Sequence, residues 1–219
     1  LLMSASVFGT LAYLQSTTDE LKNVFTVGKV EIDLKEAKTD NQGRPLDASG
    51  NIVAIANANA ELLDGSTGKE GNTYKLVPGK VYNKNPKVTV KADSEDCYVF
   101  VKVTNNLNYT VGSTSKTLES DADSTTTPPY ATIATQITNN GWTALSGVAN
   151  VYYKEVKSST SDTPCPVFDG FRINPSATEQ DFKDYEACYT TATDRTIKIK
   201  AYAIQSEGFA SASAAWTGG

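Results

Sequence analysis

The chain has 219 residues, of which 20 are basic and 25 acidic, and this net charge of −5 without any Lys/Arg block argues against nucleic acid and anionic membrane surfaces as partners. It contains no histidine, which excludes Ser/His/Asp and Cys/His nucleophilic sites and every zinc site with a His ligand. We therefore expect neither enzyme activity nor a cofactor, although an enzyme with two carboxylates that converge in a cleft stays open as a weaker alternative. The length favours one main domain.

The first 18 residues, LLMSASVFGTLAYLQSTT, carry no charge and are largely apolar. Read with a period of two, one face is apolar apart from Gly9, which is the pattern of a β-strand. The residues of this face are Leu1, Met3, Ala5, Val7, Leu11 and Tyr13. Because such a strand needs cover from water, we predict that residues 1–18 are a donor strand and linker, and that the strand pairs with an adjacent copy.

Three other interpretations of this segment stay open. A short apolar run followed by small residues is typical of the core of an export signal. A transmembrane helix needs about 20 apolar residues, whereas this stretch has roughly 14 and includes Ser4, Ser6, Gly9 and Thr10. The segment also fits an ordinary first strand of the chain's own sheet.

Residues 19–219 are predicted to form a single all-β domain, a jelly-roll-like sandwich. Tyr, Val and Thr are abundant and helical periodicity is scarce, which favours strands. Clusters of Gly, Pro, Asn or Asp separate the strands at the spacing typical of a sandwich. The predicted strands are NVFTVGKVEIDLKEAK, TYKLV, PKVTVKA, CYVFVKVTN, NVYYKEV, PVFDGFRI and RTIKIKAYAIQ, and IVAIANANAELL fits a strand or a short helix.

Other segments interrupt the strands. The polar stretch GSTSKTLESDADSTTTPP predicts an exposed loop. A short helix is predicted in YATIATQITNNGW, where Ile133 and Ile137 are four apart and Gly141 stands at the C-terminal end. A second is predicted in SEGFASASAAW.

The three cysteines are too few and too dispersed for a structural zinc or iron–sulfur site. Cys97 shares a strand face with three valines, so we predict a buried free thiol. Cys165 and Cys188 lie outside such patterns, so we pair them in a disulfide that closes a loop of ~23 residues and contributes about 3 kcal/mol in the chain-entropy model. Such a bond implies an oxidising, extracytoplasmic location.

Few residues indicate ligand binding. The acidic groupings lack the spaced ligands and central Gly of an EF-hand, so we predict no metal. Trp142, Trp216, Tyr152 and Tyr153 fit either a sugar-stacking platform or a core. Asn108, in NYT, matches the three-residue glycosylation pattern.

Several segments resemble the TasA/camelysin family of exported Gram-positive proteins. In FGTLAYLQSTTDELKNVFTVGKVEIDLKEAK, Ala12 and Tyr13 precede a T/D/E-rich junction and a strand with the pattern NxFTxGxVxIxL. The residues of that pattern are Asn23, Phe25, Thr26, Gly28, Val30, Ile32 and Leu34. The segments YKLVPGKVYNKNPKVTVKADSEDCYVFVKV, NNGWTAL and IKIKAYAIQSEGF resemble clostridial-type members whose export signal depends on a dedicated signal peptidase.

This resemblance implies a secreted jelly-roll subunit of a biofilm-matrix filament, with identical subunits as head-to-tail partners and no membrane span in the assembled form. A matrix polysaccharide or a cell-surface anchor is a further partner class. Some relatives are described as metalloproteases, but this chain has no HExxH motif. Family members are thought to be cleaved near the Ala-Tyr pair, so a retained Leu1–Leu11 lengthens the donor strand. The alternative function is a secreted monomeric carbohydrate-binding or adhesive module.

Overall fold

The computed structural model describes residues 28–54, 60–64, 71–120, 131–191 and 194–218. The strands are β1 (Ile32–Ala37), β2 (Leu62–Asp64), β3 (Val81–Asn83), β4 (Lys87–Val90), β5 (Cys97–Asn105), β6 (Asn108–Val111), β7 (Thr114–Thr117), β8 (Thr143–Ala144), β9 (Val151–Val156), β10 (Thr163–Pro166), β11 (Gly170–Arg172) and β12 (Ile197–Gln205). The helices are α1 (Ile133–Asn139), α2 (Glu179–Cys188) and α3 (Ala212–Gly218).

Two antiparallel four-stranded sheets form the body. The first has the strand order β10-β4-β1-β2 and the second the order β12-β5-β9-β8. Buried side chains of both sheets meet in one core cluster, to which β4 contributes Val88 and Val90 and β5 contributes Val99 and Val101. The all-β, sandwich-like fold predicted from the sequence is therefore confirmed.

Strand β5 shows how the sequence produces this core. Its residues alternate, so Cys97, Val99, Val101 and Val103 all face the main core and are buried. Phe100 points to the opposite face and is also buried, in a second cluster. The sheet is thus covered on both faces at β5.

The second cluster lies beneath α3. Ala212 and Ala215 are the buried residues of this helix, and the Trp216 ring packs on Phe100 with the ring centroids 5.2 Å apart. Small residues on one side of the helix let it approach the sheet closely. This helix was predicted, as was α1, in which Ile133 and Ile137 are the buried residues.

Helix α2 was not predicted, since its apolar periodicity is weak and Tyr185 is its buried residue. A different signal marks its start. Thr178 and Asp181 form a capping box, in which each side chain accepts a hydrogen bond from the other residue's backbone N–H.

The segment TYKLV was predicted as a strand and is irregular in the structure. Its backbone is satisfied in another way, because the Val77 N–H donates to the Tyr82 hydroxyl at 2.8 Å. The Tyr74 hydroxyl donates to the carbonyl of Asn83 at 3.0 Å, and its ring packs edge-on against Phe171. Hydrogen bonds to and from side chains, together with one ring contact, therefore replace the backbone hydrogen bonds that a strand would make.

Two further predictions need correction. The stretch predicted as an exposed loop contains β7 and the fully buried Leu118, and the Glu119 carboxylate accepts a hydrogen bond from the Ile133 N–H of α1 at 2.6 Å. The predicted strand PVFDGFRI is divided between β10 and β11, which belong to different sheets.

Candidate strand-accepting edge

A sheet gains a strand only at an edge where backbone N–H and C=O groups are unpaired. In the described part of the chain, the two large sheets end at β10, β2, β8 and β12. These four edges differ in how well they can accept another strand.

Three of the edges are poor acceptors. Strand β10 contains Pro164 and Pro166, which have no N–H to donate, and this is a known device for blocking an edge. Within the part of the chain that the structure describes, β8 has 2 residues and β2 has 3. The fourth edge, β12, has 9 residues and no proline.

The side chains of β12 are incompletely covered. Ile197, Ile199 and Ala201 pack against the main core but are only partly buried, and they alternate with the exposed Lys198 and Lys200. The apolar row of this outer strand is therefore only partly buried.

Strand β1 and the residues before it carry a matching row. Val30, Ile32 and Leu34 also pack on the main core and are also only partly buried. Strands β1 and β12 contact each other across the sandwich, and both rows pack against the same main core. We call them the β1/β12 seam, which consists of Val30, Ile32, Leu34, Ile197, Ile199 and Ala201.

The chain enters the described body at one end of this seam. A Cβ on Gly28 would lie 2.9 Å from Gln205 Oε1, so Gly28 sits against the last residue of β12. The next residue, Lys29, accepts a hydrogen bond from the Glu95 N–H at 2.9 Å. Residues 1–27 therefore join the body beside the C-terminal end of β12, while the predicted donor residues themselves lie outside the described residues.

Comparisons with protein-family models, curated proteins and solved structures found no match to this chain. The resemblance to the TasA/camelysin family stays a prediction.

The cysteines are placed differently from the prediction in one respect. All three are free thiols: Cys97 and Cys165 are buried in the main core, and Cys188 is exposed at the end of α2. The predicted Cys165–Cys188 disulfide is thus not formed, because β10 pairs with β4 and directs Cys165 inward, opposite Val88 in the ladder. The oxidising location loses the support of that bond.

A buried ion pair lies at the end of the first sheet. Lys84 Nζ is 2.6 Å from Glu36 Oε2, and the two side chains are only 7% and 12% exposed. Asn72 donates to Glu36 Oε1 at 3.1 Å and to the carbonyl of Ala37 at 2.9 Å. Burial, and then the Glu36 charge, raise the pKa of Tyr74 above its ordinary value. These charges are satisfied by one another, so we assign them a structural role.

The four aromatic residues do not form one sugar-stacking platform, because Tyr152 packs against the main core and Tyr153 packs against the second cluster. Trp142 is 2% exposed, and its indole N–H donates to the carbonyl of Pro166 at 2.8 Å. Trp216 packs on Phe100 and Tyr202. These two indoles therefore complete cores.

An open groove of about 580 Å³ lies beside α2 and the β6–β7 hairpin. Its lining includes Lys116, Cys188 and Tyr189. Lys116 Nζ is 2.8 Å from Asp184 Oδ2 and 3.3 Å from Asp181 Oδ1, so this charge is already paired. Asn108 of the glycosylation tripeptide is exposed on β6.

The described residues include neither a metal-binding cluster nor a helix that could span a membrane. No group of three or more His, Cys, Asp or Glu side chains lies close enough to hold a metal ion. No helix there has both the length and the apolar character needed to cross a membrane.

Proposed function

We propose that this protein is the structural subunit of an extracellular filament, and that each copy donates its N-terminal β-strand to the adjacent copy. One observation carries the proposal: an uncharged segment with a strand's apolar alternation precedes a β-sandwich in which, among the described residues, the edge strand β12 pairs on one side only and has a partly buried apolar row. Added strands of this kind gain main-chain hydrogen bonds, while alternate side chains fix the register.

Burial of apolar side chains alone does not drive the association of the donated strand. Burying about six apolar side chains at ~1.5 to 3 kcal/mol each gives on the order of 9 to 18 kcal/mol. Ordering ~14 backbone residues costs a comparable amount, at ~1 to 2 kcal/mol each. The net association therefore depends on ladder hydrogen bonds, at ~0.5 to 1.5 kcal/mol apiece, and on contacts between the globular bodies.

The geometry of donation favours a polymer. The donating segment and the receiving edge are different surfaces, so the contact is heterologous. A heterologous contact whose rotation does not close into a ring propagates as a helical filament. Occupying the edge also prevents uncontrolled pairing between sheets.

Deletion of residues 1–14 tests this proposal. We expect the shortened chain to remain folded, with the far-ultraviolet circular dichroism of a β-protein, and to give no filaments in negatively stained electron micrographs. Unchanged filaments from the shortened chain would refute the proposal.

A matched pair of substitutions sharpens the test. Val7→Asp introduces a charge on the apolar face of the segment, whereas Ser6→Asp places the same charge on the other face at the neighbouring position. We expect Val7→Asp to raise the concentration needed for assembly at least about tenfold, which corresponds to ~1.4 kcal/mol, and to do so more than Ser6→Asp. Equal effects of the two changes would argue against a strand with one buried face.

A secreted carbohydrate-binding or adhesive module is the second candidate, because the groove beside α2 presents hydroxyl, amide and aromatic groups. Such a module would bind glycan as a monomer after removal of residues 1–18. Glycan-array binding by that shortened chain, with loss on Tyr189→Ala, would favour it over the filament.

A further inference from the structure

We infer that the acceptor for the donated strand is the free edge of β12, and that its occupant is residues 1–14 of a second copy. This inference rests on the proposed function and names the surface at which it operates. Four properties of the edge support it: its backbone, its apolar row, its charges and its position relative to the start of the body.

The backbone of β12 offers the longest ladder. In the described part of the chain, β12 pairs only with β5, over the whole of Ile197–Gln205. A strand of nine residues is about 30 Å long and leaves one full row of N–H and C=O groups on its outer side. The prolines of β10 and the shortness of β2 and β8 give no comparable row.

The apolar row of the seam matches the donor in period. Ile197, Ile199 and Ala201 recur at every second residue, as do Leu1, Met3, Ala5 and Val7 in the donor. A strand laid beside β12 brings one row alongside the other, so the donor's apolar face covers the half-buried side chains of the seam. The donor strand would thus complete the main core at the β1/β12 seam, where the described residues cover it only in part.

The charges of the edge are compatible with an uncharged occupant. Lys198 and Lys200 are exposed on the other face of β12. Two β12 edges paired antiparallel in a register centred on Ile199 would place Lys198 of each copy opposite Lys200 of the other, and like charges directly opposite are destabilising. Residues 1–18 carry no charge, so they meet no such repulsion. The same lysines thus discourage edge-to-edge pairing and tolerate the donor.

The point of chain entry allows the donor to reach a neighbour. The body begins at Gly28, beside the C-terminal end of its own β12. Extended, residues 15–27 span about 45 Å, which exceeds the length of the edge. The donor can therefore pass the end of its own edge and lie along that of the next copy.

Cross-linking between differently labelled copies tests the inference. Cys188→Ser removes the one exposed thiol, while Cys97 and Cys165 stay buried. In this background one chain carries Ser6→Cys and a second, with a different affinity tag, carries Lys200→Cys on β12. The two are mixed, assembled into filaments that are checked by electron microscopy, and treated with a short bis-maleimide. The matched control replaces Lys200→Cys with Leu62→Cys on the β2 edge, where Leu62 is 53% exposed.

We expect a covalent dimer that carries both tags, formed at least about tenfold more with Lys200→Cys than with Leu62→Cys. A dimer that forms chiefly with Leu62→Cys overturns the inference, as does a single chain with both thiols that cross-links only within itself. If filaments assemble and require residues 1–14 but cross-link elsewhere, the acceptor edge is wrong and the proposed function stands. If no filament forms, or if filaments ignore the deletion, the proposed function fails.

Discussion

Strands β5 and β12 pair along nine residues, but they differ in how far they are buried. In β5, Val99 and Val101 are 0% exposed, and Phe100 on the other face is also 0% exposed. In β12, Ile199 and Ala201 lie on the same side of the same sheet and are only partly buried. Both strands alternate in the same way, so local sequence does not explain the difference.

The difference comes from the cover that each strand receives. On the outer face α3 extends as far as β12, where Trp216 meets the Tyr202 ring edge-on at 5.5 Å. On the inner face β1 contacts β12, but in the described structure the apolar row of β12 is only partly buried. A central strand is completed by its own chain, whereas in the described residues this edge strand is not.

Matched substitutions on the two strands test most strongly whether β5 and β12 differ in burial. Val103 and Ile199 face each other in the ladder, so Val103→Asp and Ile199→Asp place the same charge on neighbouring strands. We expect Val103→Asp to remove the folded state or lower the free energy of unfolding by more than about 4 kcal/mol, because a buried carboxylate is left unpaired. Ile199→Asp should cost about half as much or less.

Urea denaturation of both variants, in the chain without residues 1–14, measures these free energies. The deletion removes any contribution of strand donation to stability. Equal losses in the two variants would mean that the edge strand is as completely buried as the central one.

The buried ion pair provides a second contrast between covered and exposed sites. Lys84→Met leaves the Glu36 carboxylate buried without its partner, and we expect a loss of about 3 to 5 kcal/mol. The control is Lys157→Met, whose ion pair with Asp96 joins side chains that are 69% and 44% exposed. Because solvent screens an exposed pair, this change should cost much less than Lys84→Met. Urea unfolding midpoints compare the two. Similar small shifts would show that solvent reaches Glu36.

The parts of the fold that could be predicted are those in which neighbouring residues decide the structure. The alternation in CYVFVKVTN predicted β5 with the bounds Cys97–Asn105. The spacing of Ile133 and Ile137 predicted α1. In both cases the buried face is defined by one stretch of sequence.

The remaining parts depend on contacts between distant residues. The Val77 N–H donates to the Tyr82 hydroxyl and not to a neighbouring strand. Cys165 is buried because β10 pairs with β4. Neither partner is marked in the local sequence. The seam could not be predicted for the same reason, since the strand order that leaves β12 at an edge is not a property of its sequence.

Acid should weaken the contact between α2 and the β6–β7 hairpin. The hydrogen bond from Lys116 holds the pKa of Asp184 below its ordinary value of 3.8. Because the folded state then binds the proton less readily than the unfolded state, the stabilisation is present above that value and is lost as pH falls through the lower folded pKa. As the pH is lowered from about 5 to about 2.5, we expect the urea concentration at the unfolding midpoint to decrease. This decrease should be smaller in Lys116→Met than in the unchanged protein. Lys183→Met, whose partner Glu179 is exposed on the same helix, should keep the full decrease. A variant Lys116→Met with the wild-type decrease would contradict this role.

The smallest effect is expected from the surface thiol. Burial raises the pKa of Cys97 to about 11 and also raises that of Cys165, so both stay protonated and shielded near neutral pH. Cys188 is exposed, with its thiol 3.1 Å from the carbonyl oxygen of Thr110. We expect Cys188→Ser to change stability by less than about 0.5 kcal/mol, as for most surface substitutions.

Thiol labelling tests the placement of the three cysteines. Under native conditions a maleimide should label one thiol rapidly, and Cys188→Ser should abolish that labelling. After unfolding in denaturant without reductant, all three thiols should react. Release of a single thiol would instead indicate a disulfide, which would restore the Cys165–Cys188 pair or reveal one between the two core cysteines; peptide mapping of the oxidised chain separates these two results.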